Sequence, residues 1–228
     1  MMNNLFSIFD PSTNMYMSLN WMNLQYSILF IPNLFWFIPS RKNILFLMIM
    51  KMMIFEFKLL MNKKLNYLNM FVFISLFIMI MINNLISMFP YIFPSNSHLI
   101  MSLSYSLTLW MSFMLFGWMK NYNFMFIHLT PQGTPNILMP FMVLIESISN
   151  IIRPMTLSIR LSANIIAGHL LMSLISNNGP LIIFMMSIIL ISLQSILCIL
   201  ELAVSIIQAY VFSILSTLYS SETNYEKI

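Results

Sequence analysis

Glu146, Arg153, Arg160, His169 and Glu201 are the residues of this chain with chemistry to offer, because each lies within a long apolar stretch where an ionisable group is expensive. Glu146, Arg153 and Arg160 are spaced by seven, so on a helix they drift little and share one stripe. Asn164 lies one turn beyond Arg160 on roughly that face, whereas His169, nine residues from Arg160, is half a turn out of phase. Gln194, Glu201 and Gln208 are also spaced by seven and form a second stripe, with Ser205 one turn past Glu201. Even low estimates put a carboxylate or guanidinium at a membrane centre at ~2.5–3.5 kcal/mol each. A partner charge, water or another protein must offset that cost. Carboxyl, imidazole and guanidinium groups inside a membrane by default mark an ion or proton pathway. The plainer alternatives are that Arg160 pairs with Glu201 or Glu146, and that Arg153, next to Pro154, snorkels at an interface.

Other chemistry lacks a motif. The three His and one Cys are too widely spaced for a metal site. His98 and His128 fall near span ends and read as interfacial residues. Gly133 in "TPQGTP" is a turn, not a phosphate loop, and no Ser or Cys nucleophile has a supporting pattern. No cofactor is expected.

The elements that must hold these residues are membrane helices. The chain has 228 residues, 60% of them hydrophobic and 7% charged, with a mean hydropathy of +0.87. A soluble domain carries about a quarter charged residues, and several apolar runs here reach the ~20 residues that cross a bilayer. The pI near 9.2 could suggest nucleic acid. But six of the ten basic residues lie between Arg41 and Lys64, beside membrane segments, so the charge reads as topology and no nucleic-acid partner is expected. The opening "MMNNLFSIFDPSTN" has no Lys or Arg, so a cleavable basic leader is not expected. The 25 Met and only 4 Gly, with many Ile, Phe and Asn, suggest an organelle-encoded protein.

The expected fold is therefore an all-α integral membrane protein, one membrane domain of about five membrane helices plus one amphipathic helix. Residues 17–38 read as a first span. Residues 41–64 read as an interfacial amphipathic helix, since Lys51 and Lys58 share a face; a spanning helix is the rival reading. Residues 66–89 and 98–119 are further spans. The segment "KNYNFMFIHLTPQGTPN" reads as a loop. Residues 137–175 and 180–219 are longer than a straight span needs, and read as a long tilted hairpin divided by "SNNGP". Pro154 is a natural kink site. With five crossings, every Lys and Arg outside the spans falls on one side, the cytoplasmic or matrix side, while the turns near 90–97 and 176–180 carry none. The four alanines (Ala163, Ala167, Ala203, Ala209) and Gly168 all lie in the last two helices. They suit either close hairpin packing or a smooth surface facing another protein that slides past.

The runs "LIESISNIIRPMTLSIRLSANIIAGHLL" and "ILELAVSIIQAYVFSIL", with the loop "HLTPQGTPNILMP", resemble subunit a of the F-type ATP synthase in its mitochondrial form. The likeness is specific over about 128–220, and before that rests on topology and on "INNLISMFPY". It implies a non-catalytic, multi-pass subunit of the mitochondrial inner membrane, with its N-terminus towards the intermembrane space and its C-terminus in the matrix. Its partners would be a ring of c subunits, other membrane and peripheral-stalk subunits, and the lipid bilayer. Protons would enter by one half-channel, load a ring carboxylate, and leave by a second. By that likeness Arg160 is the essential arginine, always charged. His169, Glu201, Gln208 and Asn84 would line the entry path, as imidazole and carboxyl groups suit proton relay. Glu146 would line the exit, and Asn164 would orient Arg160 or water. A stand-alone proton or ion channel or secondary transporter is the alternative. It predicts polar residues in matching positions of two halves, whereas nearly all intramembrane charge here is in the last third. A structural subunit of another respiratory complex is a third reading, and it leaves Arg160 without a reason.

Overall fold

The computed structural model describes residues 4–13, 16–33, 35, 37–61, 67–130, 135, 137–177, 179 and 184–223. Among them every long element is helical: α1 (Asn23–Leu29), α2 (Arg41–Leu60), α3 (Tyr67–Ser87), α4 (Leu99–Lys120), α5 (Tyr122–Leu129), α6 (Met139–Asn177) and α7 (Phe184–Thr223), with short 3-10 turns at Leu5–Phe9, Leu19–Met22 and Ser95–Ser97. In hydrocarbon the backbone must satisfy its own hydrogen bonds, which is why long apolar runs take this form. Four helices, α3, α4, α6 and α7, are long and apolar enough to cross a membrane.

α3 is the hub. Its Met70, Phe73, Ile74, Phe77, Ile78, Ile80, Ile82 and Ile86 are buried, and it packs against α1, α2 and α7. In its most apolar window 56% of residues are buried, against 17% for α6 and 0% for α7. The last two helices therefore keep a broad outer face, while their inner faces close on α3, α4 and each other. Those inner faces are lined by small hydroxyl residues: Ser158 and Ser162 of α6, Ser102 and Ser106 of α4, and Ser213, Ser216 and Ser220 of α7 are all buried. Their hydroxyls donate to carbonyls of their own helices, so small side chains allow close approach without stranding a polar group.

α6 and α7 run for 39 and 40 residues, about 60 Å each at 1.5 Å per residue and twice the bilayer core. This is the excess length expected of the final pair. Asn178 and Pro180 of the dividing turn lie outside the described residues. α6 continues through Pro154, which is buried and lines a small cleft with Ser106, Trp110 and Tyr219; the packing of α6 on α4 and α7 offsets the hydrogen bond that an interior proline removes.

α2 begins at Ser40, whose Oγ accepts the Asn43 N–H at 3.5 Å, a serine cap. Lys51 and Lys58 are exposed, as their spacing predicts, while Met53 and Phe57 are buried on the other face. Residues 62–64 lie outside the described residues. The stretch 17–38 holds, among its described residues, only the 3-10 turn Leu19–Met22 and the seven-residue α1, about 10 Å of α-helix. Side chains pin it: Asn23 Nδ2 donates to the Phe93 carbonyl, and the Trp21, Phe93 and His98 rings meet edge-on or tilted with centroids 5.2–5.6 Å apart. The segment read as a loop after Lys120 begins as α5, whose eight residues YNFMFIHL contain no Pro or Gly. The loop proper, 131–134, lies outside the described residues.

Candidate functional site

The half-turn phase difference between Arg160 and His169 separates them onto two sides of α6. Arg160 is exposed on the outer face with Ala163, Asn164 and Ala167, and Ala203 of α7 is exposed beside large apolar residues. Ala209, by contrast, is fully buried. Among the described residues Arg160 has neither a hydrogen bond nor an ion pair. Hydroxyls on the exposed faces of α6 and α7 turn back on their own helices: Thr156 donates to the Arg153 carbonyl at 2.9 Å, and Ser192 and Ser195 donate one turn back at 2.8 Å.

His169 points inward, to the junction of two cavities. The inner cleft, about 200 Å³, is lined by Asn84, Asn164, His169, Glu201, Ser205 and Gln208 with apolar neighbours. The outer vestibule, about 710 Å³, is lined by residues 7–12 of the N-terminal segment, the 88–93 turn, the end of α6, and Gln194 and Cys198 of α7. Met88, His169 and Glu201 line both. The seven-residue stripe of α7 thus follows the cavities, Gln194 in the vestibule, Glu201 at the junction and Gln208 in the cleft. His169 Nε2 and Glu201 Oε1 are buried and lack a hydrogen-bond partner among the described residues. Two unpaired polar atoms facing a cavity suit water or a travelling proton.

Asn84 is fully buried. Its Nδ2 donates to the Ser205 carbonyl at 3.4 Å, and its Oδ1 accepts Asn96 Nδ2 at 2.8 Å. The bridge ties α3 to α7 and to the turn before α4 at the wall of the cleft. Asn164 lines the cleft yet is exposed on the Arg160 side, so it borders both.

Glu146 lies elsewhere. Arg153 Nη2 stands 3.8 Å from Glu146 Oε1, while Arg153 Nη1 donates to Glu222 Oε2 at 2.6 Å and the guanidinium covers the Tyr219 ring at 5.2 Å. Neither carboxylate offered to Arg160 by the ion-pair reading is its partner: Glu146 is held by Arg153, and Glu201 Oε1 is unpaired. Arg153 is accordingly a link between α6 and α7. Arg153 and Glu222 line a small separate cleft with His128 and Trp118, about 24 Å along α6 from His169.

Five of the seven singled-out residues therefore meet at one cleft (Asn84, Asn164, His169, Glu201 and Gln208), and Arg160 and Glu146 stand outside it. Asn96 and Glu222 carry no periodic signal, since each acts through a contact with another element, and Asp10 lies outside the long helices.

The family model described as ATP synthase A chain matches residues 15–221. The chain is 56% identical over 223 residues to ATP synthase subunit a of Locusta migratoria, covering 97% of this chain and 99% of that protein. It is 53% identical over 224 residues to ATP synthase subunit a of Drosophila melanogaster, covering 98% and 100%. With ATP synthase subunit a of Aedes aegypti the identity is 52% over 227 residues, again covering 98% and 100%.

Proposed function

The chain belongs to the ATP synthase A chain family, and from that premise we propose that it is the non-catalytic, proton-translocating stator subunit of the synthase's membrane sector, in the mitochondrial inner membrane. The observation that carries this reading is Arg160, exposed on the outer face of α6 with no partner among the described residues. A lone guanidinium facing hydrocarbon is costly, and a neighbour that presents carboxylates removes the cost. A ring of c subunits, one carboxyl group each, is that neighbour.

The entry half-channel is the vestibule and inner cleft. A proton passes the junction at His169 and Glu201, moves along Gln208, Asn84 and Asn164, and reaches the ring carboxylate beside Arg160. The guanidinium stays charged at any physiological pH. It attracts each arriving carboxylate, favours its ionised form and so drives off its proton. It also repels a proton attempting to cross directly between half-channels. Glu146 lines the exit, on the side where the basic residues gather. The N-terminus faces the intermembrane space and the C-terminus the matrix. Each proton brings about 2.3 kcal/mol per 100 mV of membrane potential. The ring, the other membrane subunits and the peripheral stalk are the protein partners. Family membership counts against a stand-alone channel or transporter.

Arg160→Ala tests the reading. Proton-driven ATP synthesis is expected to be abolished while the complex remains assembled, and normal synthesis in that variant would overturn it.

A further inference from the structure

The N-terminal segment forms one wall of the vestibule. The 3-10 turn Leu5–Phe9 ends at Asp10. It packs on α6, with the Phe9 ring edge-on to the His169 imidazole, centroids 6.4 Å apart and planes at 82°. Asp10 Oδ1 accepts the backbone N–H of Ser12 at 3.1 Å and its hydroxyl at 2.9 Å, and the Asp10 carbonyl accepts Asn20 Nδ2 at 3.3 Å. The carboxylate is thus exposed but fixed in place, and it lines the same vestibule as His169 and Glu201. The Ser12 backbone N–H, and then its hydroxyl, hold the Asp10 carboxyl below its ordinary value of 3.8, so it is ionised throughout the physiological range.

Among the described residues the vestibule has no Lys or Arg to cancel this charge. Its titratable lining groups among those residues are Asp10, Tyr91, His169, Cys198 and Glu201. Its walls include the 88–93 turn and the last turn of α6, the end of the molecule where the connecting turns lack basic residues. A fixed charge at the mouth of a cleft with low-dielectric walls concentrates ions of the opposite sign.

We propose that Asp10 is the outermost functional residue of the entry path, a fixed carboxylate that concentrates protons and other small cations in the vestibule ahead of the His169–Glu201 junction. The proposal rests on the vestibule being the entry route. One charge at ~7 Å in water enriches a monovalent cation roughly threefold and depletes an anion by the same factor.

The test uses the assembled complex in vesicles, with Cys198 as a reporter that needs no turnover. Membrane-impermeant methanethiosulfonates, one cationic and one anionic, are applied from the side of the connecting turns, and labelling is followed on the peptide that carries Cys198. The cation-to-anion rate ratio is expected to fall roughly tenfold in Asp10→Asn and to be retained in Asp10→Glu. An unchanged ratio in Asp10→Asn, or no labelling of Cys198 from that side, overturns the proposal. In a second measurement, ATP synthesis at fixed membrane potential is titrated against outer pH. Asp10→Asn is expected to need roughly threefold more outer protons for half-maximal rate. A fall in maximal rate alone, with neither that shift nor a change in the labelling ratio, overturns the collector and marks a structural role. The two readouts separate the failures. A charge-dependent labelling ratio with no shift in the titration leaves Asp10 as a cation collector in a vestibule that is not the proton route, and Arg160→Ala then decides the wider reading by itself.

Discussion

Gly168 and Glu201 lie so close that a Cβ on residue 168 would stand 2.8 Å from Glu201 Oε1, 2.9 Å from its carboxyl carbon and 3.1 Å from its Cγ. The two shorter distances are below normal contact for a carbon, so the glycine is what allows the carboxyl group to rest on the α6 backbone beside His169. Gly168→Ala must displace the carboxyl end of a flexible side chain and leaves the fold intact. Alanine is also the better helix former, by about 1 kcal/mol. The expected outcome is a complex that assembles normally while proton-driven synthesis falls by about 10- to 100-fold, the cost of moving a reacting group by an ångström. Synthesis and thermal denaturation measured on the same preparation check it. A normal rate would show that the Glu201 position is uncritical.

Glu201→Gln keeps the shape and removes the exchangeable carboxyl proton. Oε1 has no hydrogen-bond partner among the described residues, so the amide breaks no bond there and folding stability should be unaffected. Proton entry should be slowed and not abolished, because His169 remains at the junction. Passive proton flux through the membrane sector is the measurement, and wild-type flux would remove Glu201 from the path.

Asn84→Ala should act on stability as well as on flux. It leaves Asn96 Nδ2 and the Ser205 carbonyl without the partners they have now, at a cost of about 1–3 kcal/mol for a buried group left unsatisfied. A lowered denaturation midpoint of the solubilised complex is expected. Asn96→Ala should move it in the same direction, and the double variant should cost less than the sum, since one bond is counted in both.

Glu222→Gln should matter little, despite the 2.6 Å contact with Arg153. The Glu222 side chain is 44% exposed and that of Arg153 29%, and pairs this accessible contribute at most about 1 kcal/mol. Arg153→Met should cost more, because it removes the cation shared by Glu146, Glu222 and the Tyr219 ring. Denaturation midpoints at low and high salt check the order, and the difference between the variants should shrink with salt.

The sequence made visible whatever is periodic. The spacing of Gln194, Glu201 and Gln208 placed them on one stripe, and that stripe follows the two cavities. Nine residues between Arg160 and His169 put them on different sides of α6, and the structure separates them in that way. What stayed hidden is contact between distant segments. Arg153 and Glu146 share a helix, but the shorter bond of Arg153 goes to Glu222, 69 residues away. Phe9 meets His169, and Asn96 folds back onto Asn84 across the α3–α4 turn, with no local pattern to announce either. α5 was illegible for another reason. An eight-residue apolar run next to a Pro- and Gly-containing loop is too short for periodicity to tell a helix from irregular chain.

The hydroxyls of Thr156, Ser192 and Ser195, bound to their own helices, have a mechanical consequence. A surface with free donors grips whatever lies against it, and each shift sideways breaks directional bonds before new ones form. Here the exposed slab of isoleucine, leucine and alanine offers mainly dispersion contacts, which exchange one for another as a neighbour moves. For a stator that faces a moving ring, such a surface would act as a low-friction bearing, with one charged detent at Arg160 to mark each step.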